Sequence, residues 1–322
     1  MKNALIFGIT GQDGAYLADF LIKKNYNVFG TFRRTSQRSF ERLEKLGILN
    51  DVTILSADLA DQVSIQSVIK KTTPDEIYNL AAQSFVESSF DQPLLTLDIT
   101  GVSVIRILDA IRKYSLESKF YQASSSEMFG NVTGIKNEET LFKPRSSYGA
   151  AKILAHHMTV NYREAYNLFN SCGILFNHES PLRGLEFVTR KISNALAKIK
   201  NNKQKKLHLG NIYAKRDWGF AGDYVEAMWL MLQQKKPDDY VISTGESHSV
   251  EEFLTLATEY ADLGDWHDFC VLDESLNRPT DIDELVGDSS KARKELGWKP
   301  KIDFKQLVKM MIESDLESNL NR

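Results

Sequence analysis

The chain has 322 residues, enough for two domains of ordinary size or one large α/β unit, and it can bury a core without crosslinks or metals. Forty Lys and Arg against 43 Asp and Glu leave a formal charge of −3, so no basic excess points to nucleic acid, and 42% hydrophobic with 26% charged residues is the balance of a soluble globular protein. Two cysteines, Cys172 and Cys270, exclude a disulfide framework; with no apolar run near the roughly 18 residues of a membrane span and a start, MKNALIFGIT, too short for a signal-peptide core, a cytoplasmic protein without a membrane partner is expected.

Short apolar runs alternate with helix-periodic stretches from the second residue onward. Residues 3–8 (NALIFG) read as a buried strand, and 14–24 as an amphipathic helix carrying Leu17, Ala18, Phe20 and Leu21. Residues 27–32, 52–57, 76–81 and 119–124 read as further strands, with helices over 62–71, 96–114 and 147–166 between them. Near-continuous apolar strands separated by helices predict a doubly wound parallel sheet of the Rossmann type.

Beyond Leu175 the rhythm changes. A polar, Pro/Gly-bearing loop (177–184) precedes a helix with a basic face (188–201). A turn-rich stretch (215–223), helices near 224–233 and 250–261 and a terminal helix from Phe304 follow. The apolar run 241–245 pairs either with the main sheet or with the smaller region. The Met228–Leu232 cluster reads as core. No repeat and no Pro/Gly/Ser linker separates two units. The expected division is therefore a dinucleotide-binding domain over 1–176, rejoined by about 212–245, and a smaller interleaved α/β substrate-binding domain from 177–211 and 246–322.

Directly after the first strand come Gly8, Thr10, Gly11, Gln12, Asp13 and Gly14, where a helix opens. The glycines permit a tight turn and let backbone N–H groups approach a pyrophosphate at the positive end of the helix. The spacing is GxxGxxG rather than GxGxxG, so the position at the chain's first strand and helix carries the reading. The second strand ends in Arg33 and Arg34, where an NAD site would place an acidic residue; arginines suit a ribose 2′-phosphate, which favours NADP over a solvated basic loop continuing through Arg38 and Arg42. Asp58 and Leu59, and Leu80, Ala81, Ala82, Gln83 and Ser84, lie at the carboxyl ends of strands, where open parallel sheets bind ligands.

Tyr148 and Lys152 open a long helix, and a spacing of four puts both on one face, roughly 6 Å apart along the axis. An ammonium beside a phenol favours the phenolate, which can accept a hydroxyl proton as hydride leaves the adjacent carbon. Ser125 and Glu127 follow the fifth strand and so stand at the same sheet edge. No three or four residues have the spacing of metal ligands, since His156 and His157 are adjacent on a helix and His267 with Cys270 is a lone pair; no metal is expected. A GxxxxGK[ST] phosphate loop is absent.

GITGQDG, NLAAQS, ASSSEMFG, SSYGAAK, ILFNHESP, FVTRKI, AKRDWGFAGDYVEAMW, RPTDID and GWKP together resemble the GDP-mannose 4,6-dehydratases, extended short-chain dehydrogenase/reductases, over nearly the whole chain. The resemblance implies conversion of GDP-mannose to GDP-4-keto-6-deoxymannose with tightly held NADP that is reduced and reoxidised. It implies that Tyr148 takes the 4-hydroxyl proton, Lys152 holds the ribose and tunes Tyr148, Glu127 serves C5 and C6, and Ser125 hydrogen-bonds the sugar. It further implies cofactor contacts from His178 and Arg183, substrate contacts from Asn177, Val188, Lys191, Arg216, Arg278 and Glu284, and a homodimer or homotetramer paired through the helices at 96–114 and 147–166.

Several positions depart from that family. Ser125 stands for threonine and keeps the hydroxyl, whereas Phe85 stands for histidine, Leu95 for tyrosine, and Leu182 and Leu185 interrupt ESPRRGE. The loop after Arg34 is also shorter than in the resembling proteins. Two other readings share the residues: an NADPH-dependent 4-keto-sugar reductase or epimerase on the same fold, and a dinucleotide-sensing protein without catalysis. Glu127 favours dehydration over the first, and the retained Tyr148 and Lys152 disfavour the second.

Overall fold

A computed structural model of the protein describes residues 1–36 and 39–320; Gln37 and Arg38 of the basic loop lie outside them. Seven parallel strands form the main sheet: β1 (Asn3–Phe7), β2 (Asn27–Phe32), β3 (Val52–Ser56), β4 (Glu76–Asn79), β5 (Lys119–Ser125), β6 (Asn170–Leu175) and β7 (Asp239–Ile242). Their order is β7-β6-β5-β4-β1-β2-β3. The strand order reverses at β1, so its carboxyl end and that of β4 flank a crevice, where ligands of such sheets bind.

Alternation along each strand divides the core between two faces. Ala4 and Ile6 of β1 face helices α1 (Gln12–Lys23) and α6 (Ala221–Leu232), whereas Leu5 and Phe7 face α2 (Gln62–Thr72), α3 (Ser103–Tyr114) and α4 (Ser147–Tyr166). Met228, Met231 and Leu232 are buried against the sheet through α6. A second apolar core joins α5 (Val188–Lys200), α7 (Val250–Ala261) and α8 (Phe304–Leu320) around Ile192, Leu196, Phe253, Leu254, Leu307 and Met311. Ile212 and Trp218 belong to this second core.

The apolar run at 241–245 resolves in favour of the main sheet, because Asp239–Ile242 pairs parallel with β6. A helix expected from residue 96 starts earlier: Pro93–Thr96 leads into a π-helical segment, Leu97–Val102, before α3. Among the described residues no helix is long and apolar enough to cross a membrane.

Candidate active site

The turn between β1 and α1 owes its tightness to glycine. A Cβ on Gly14 would lie 2.3 Å from the Gly8 carbonyl oxygen, so any side chain there would force the turn open. Gly11 caps α1 without a side-chain acceptor, which leaves the first-turn N–H groups facing the crevice. The two residues after it grip the segment at 177–180. Gln12 Nε2 donates to the His178 carbonyl at 3.1 Å, Ser180 Oγ donates to Gln12 Oε1 at 2.7 Å, and His178 Nε2 meets Asp13 Oδ2 at 2.8 Å.

The opposite wall is built by β5 and α4. Ser146 caps α4, its hydroxyl accepting the Gly149 N–H at 3.0 Å, which starts the helix with Tyr148 in its first turn. Gly149 lets that turn press on the end of β5, since a Cβ there would sit 2.8 Å from the Glu127 carbonyl oxygen. Ser125 acts on the Tyr148 phenol, and the Glu127 N–H donates to Ser125 Oγ at 3.2 Å. Lys152 Nζ donates to the Ala123 carbonyl at 2.7 Å and lies 5.6 Å from the centre of the Tyr148 ring. Ser125, Glu127, Tyr148 and Lys152 are all less than a tenth exposed and line one cavity of about 350 Å³.

Burial sets the charges in this cavity. It pulls the Lys152 ammonium down to about 8, against the attraction of Asp13, so the amine is still mostly charged at neutral pH. Burial also drives the Tyr148 phenol upward, opposed by the neighbouring Ser125 hydroxyl. Burial raises the Asp13 carboxyl, but the charge and hydrogen bond of His178 prevail and hold it at about 2. The His178 imidazole is shifted the other way: burial lowers it, and the charge and hydrogen bond of Asp13, together with the Phe176 carbonyl, outweigh that and leave it raised. Behind the wall, His156 Nδ1 pairs with Ser124 Oγ at 3.0 Å, and burial lowers that imidazole to about 4.

The residues singled out in the sequence distribute unevenly around the cavity. Gly8, Gly11, Gln12, Asp13, Gly14, Leu80, Ala82 and Ser84 line its sheet side. Asn177, His178, Arg183, Val188, Lys191, Arg216 and Arg278 line the rest. Thr10, Arg33, Arg34, Asp58, Leu59, Ala81, Gln83 and Glu284 stand outside this lining. Arg33 and Arg34 are exposed at the end of β2. Asp58 closes its own turn by accepting the Ala60 N–H at 2.9 Å, and Gln83 bonds the Phe85 carbonyl at 2.9 Å. Glu284 accepts from Ser247 Oγ at 2.6 Å.

Three contributors escaped the motif reading. Asp281 holds both Arg216, at 3.2 Å, and Arg278, at 4.0 Å. Phe187 carries the Arg183 guanidinium 3.5 Å from its ring centre, and Phe85 packs edge-on against it at 5.7 Å. Arg42 donates to the Leu182 carbonyl at 2.7 Å and to the Thr10 carbonyl at 3.0 Å. Leu182 itself is buried in the sheet's core, whereas Leu95 and Leu185 are exposed. RPTDID contains Asp281, and its acidic residues shortly after Arg278 were the available signal.

A doubly wound parallel sheet with a hydroxyl, a phenol and an ammonium gathered at its carboxyl edge, beside a second core that closes the cavity, defines an extended short-chain dehydrogenase/reductase. Within that class the chain belongs to the GDP-mannose 4,6-dehydratase family, whose profile matches residues 5–311. GDP-mannose 4,6 dehydratase 2 of Arabidopsis thaliana is 53% identical over 98% of this chain and 87% of its own length. The human GDP-mannose 4,6 dehydratase is 48% identical over 98% and 91%, and that of Vibrio cholerae 43% identical over 98% and 94%. Solved structures share the fold. The NAD complex of Thermus thermophilus UDP-glucose 4-epimerase has a TM-score of 0.86 at 21% identity, covering 97% of this chain and 98% of that one. The NAD complex of Bacillus anthracis dTDP-glucose 4,6-dehydratase has a TM-score of 0.85 at 20% identity, covering 100% and 98%.

Proposed function

We propose that the chain is a GDP-mannose 4,6-dehydratase that converts GDP-mannose to GDP-4-keto-6-deoxymannose and uses NADP as its recycled cofactor. The carrying observation is the buried Glu127 carboxylate in one cavity with Ser125, Tyr148 and Lys152. A reductase needs only the last three, whereas loss of water across C5 and C6 needs an acid/base as well.

A dinucleotide fits the cavity on two grounds: the uncapped first turn of α1 offers free N–H donors to a pyrophosphate, and Lys152 offers a buried ammonium with one protein acceptor. A bound nicotinamide would supply a reversible acceptor for the C4 hydride and its return to C6, leaving loss of water as the net change. Tyr148 takes the 4-hydroxyl proton as the phenolate, which the positive charges of Arg183 and Lys152 favour against the burial that raises the phenol, and Ser125 holds that oxygen. Once C4 is a ketone, the C5 proton is acidic; Glu127 removes it and gives it to the departing 6-hydroxyl, and the proton held by Tyr148 passes back to C5 as C6 is reduced. Arg216 and Arg278, preset by Asp281, receive the diphosphate. Arg33 and Arg34 at the end of β2 support NADP over NAD. In this reading the sheet carries the cofactor, the second core carries the nucleotide sugar, and two copies pair through the helices at 96–114 and 147–166.

Proton NMR of GDP-mannose with the protein and catalytic NADP tests this reading. The expected result is a 6-methyl doublet without NADPH build-up. Glu127→Gln should keep NADP binding and lose product formation by about 100-fold or more. Product at the parental rate from that variant would remove Glu127 from the reaction. No doublet, together with NADPH-dependent reduction of a 4-keto sugar, would replace the dehydratase by the reductase. Parallel titrations with NADP and NAD decide the cofactor.

A further inference from the structure

The pair joining Asp13 to His178 spans 165 residues of sequence and lies in the wall of the cavity. The environment of the ring fixes its protonation. Nδ1 lies 2.7 Å from the Phe176 carbonyl oxygen, which only accepts, so Nδ1 carries a proton. Nε2 lies 2.8 Å from a carboxylate oxygen of Asp13, which also accepts. A ring that donates from both nitrogens is an imidazolium. Its plane is held by Tyr224, stacked at 4.6 Å and 27°, and its carbonyl by Gln12. Gln12 also donates to the second Asp13 oxygen at 3.0 Å. No part of this arrangement is free to reorient.

The placement matters because Asp13 is the second residue of α1, at the helix end open to the cavity. An uncompensated carboxylate there would oppose an arriving pyrophosphate and cancel the attraction of the helix N-terminus. We infer that Asp13 and His178 form a charge-neutral carboxylate–imidazolium pair, in which His178 makes the α1 turn acceptable to an anionic dinucleotide by balancing Asp13. Asp13 in turn fastens the turn to the segment at 177–180. The inference rests on the reading of this cavity as a dinucleotide site. It assigns both residues a positioning and electrostatic role beyond simple contact.

Other charges face the pair. Arg183 acts on both members from the loop at 180–187, and Asp13 acts on Lys152 and Tyr148 from across the cavity. Tyr224 faces the ring from α6, and Glu179 acts on Tyr224 from the strand that bears His178. The raised imidazole holds its proton to higher pH than an ordinary histidine and loses it as pH climbs through that raised value. Cofactor affinity therefore falls along that limb. Lys152 titrates nearby, at about 8, so the informative quantity is the difference between the parent and a protein lacking the pair.

Two measurements, neither using a sugar, test the inference. In the cofactor-free protein, ¹⁵N NMR of the histidine rings should show His178 protonated on both nitrogens at pH 7, with an apparent pKa that drops in Asp13→Asn. In calorimetric titrations with NADP, His178→Asn, which leaves the carboxylate unbalanced, should weaken binding about tenfold or more. Asp13→Asn combined with His178→Asn should recover most of that loss and flatten the pH dependence to the Lys152 step. A neutral single-tautomer ring at pH 7 would overturn the inference. So would a double variant that binds no better than His178→Asn, or a single variant that binds like the parent. If the parent bound neither NADP nor NAD, the cofactor reading would fall, and the ring spectrum would still decide the pair.

Discussion

Lys152 shows at the scale of one residue how the site trades stability for chemistry. Its side chain is 4% exposed, and a single carbonyl accepts from it. Burial holds its ammonium at about 8 against an ordinary 10.5, so between those values the folded protein carries one proton fewer than the unfolded chain. Stability therefore rises with pH across that window, and at neutral pH the charged amine is a net cost. Lys152→Met should raise the stability of the cofactor-free protein at pH 7 by about 1–3 kcal/mol in urea unfolding while abolishing most turnover. A less stable variant would mean that the bond to Ala123 outweighs the burial. The spacing of Tyr148 and Lys152 was legible in the sequence, because one helix turn fixes their relation. The bond from Asp13 to His178 was not, because only the folded sheet brings positions 165 residues apart into contact.

At the scale of elements, the position of α4 decides whether those side chains meet a substrate. The helix is fixed at its start by the Ser146 cap and near its end by Arg163, which makes a bidentate pair with Asp239 of β7 at 2.9 and 3.0 Å. Gly149 sits between these anchors with its Cα against the Glu127 carbonyl. In an exposed helix Gly→Ala gains roughly 0.5–1 kcal/mol, but here the new methyl would lie 2.8 Å from a backbone oxygen. The clash wins, since neither backbone can yield without moving β5 or the helix. Gly149→Ala should lower the melting temperature and cut kcat about tenfold or more by parting Tyr148 from Ser125. An unchanged kcat would show that the first turn shifts without consequence. Long elements such as α4 were readable from apolar periodicity. The paired strands Lys215–Arg216, His248–Ser249 and Glu284–Leu285 were not, because two residues carry no period. The π-helical turn at Leu97–Val102 escaped for a related reason: Gly101 packs against Ala151 and Leu154 of α4, a tertiary contact that overrides local propensity.

Across the whole molecule, the cavity lies between two cores that meet at few elements, so its geometry depends on what ties them. The loop at 180–187 is held from the sheet side by Arg42, which bonds the Leu182 and Thr10 carbonyls. From the other side Arg190 of α5 donates to the Arg183 carbonyl at 3.0 Å, and its guanidinium makes a bidentate pair with Asp315 of α8 at 2.6 and 2.8 Å. Asp315 is fully buried and also accepts from Ser193 Oγ at 2.6 Å. The last described helix thus positions a loop that lines the cavity. Asp315→Ala leaves a buried guanidinium without its counter-charge, which should cost about 3–5 kcal/mol in denaturant unfolding. Replacing both partners with apolar residues, Arg190→Met with Asp315→Leu, should recover most of that stability, because the desolvation cost of the pair is removed along with its attraction. Cofactor affinity should separate from stability in this double variant. With the donor to the Arg183 carbonyl gone, NADP binding should remain weakened severalfold although the fold is restored. Parental affinity in the double variant would show that Arg42 and the 177–180 contacts alone hold the loop, leaving the pair with Asp315 only a structural part.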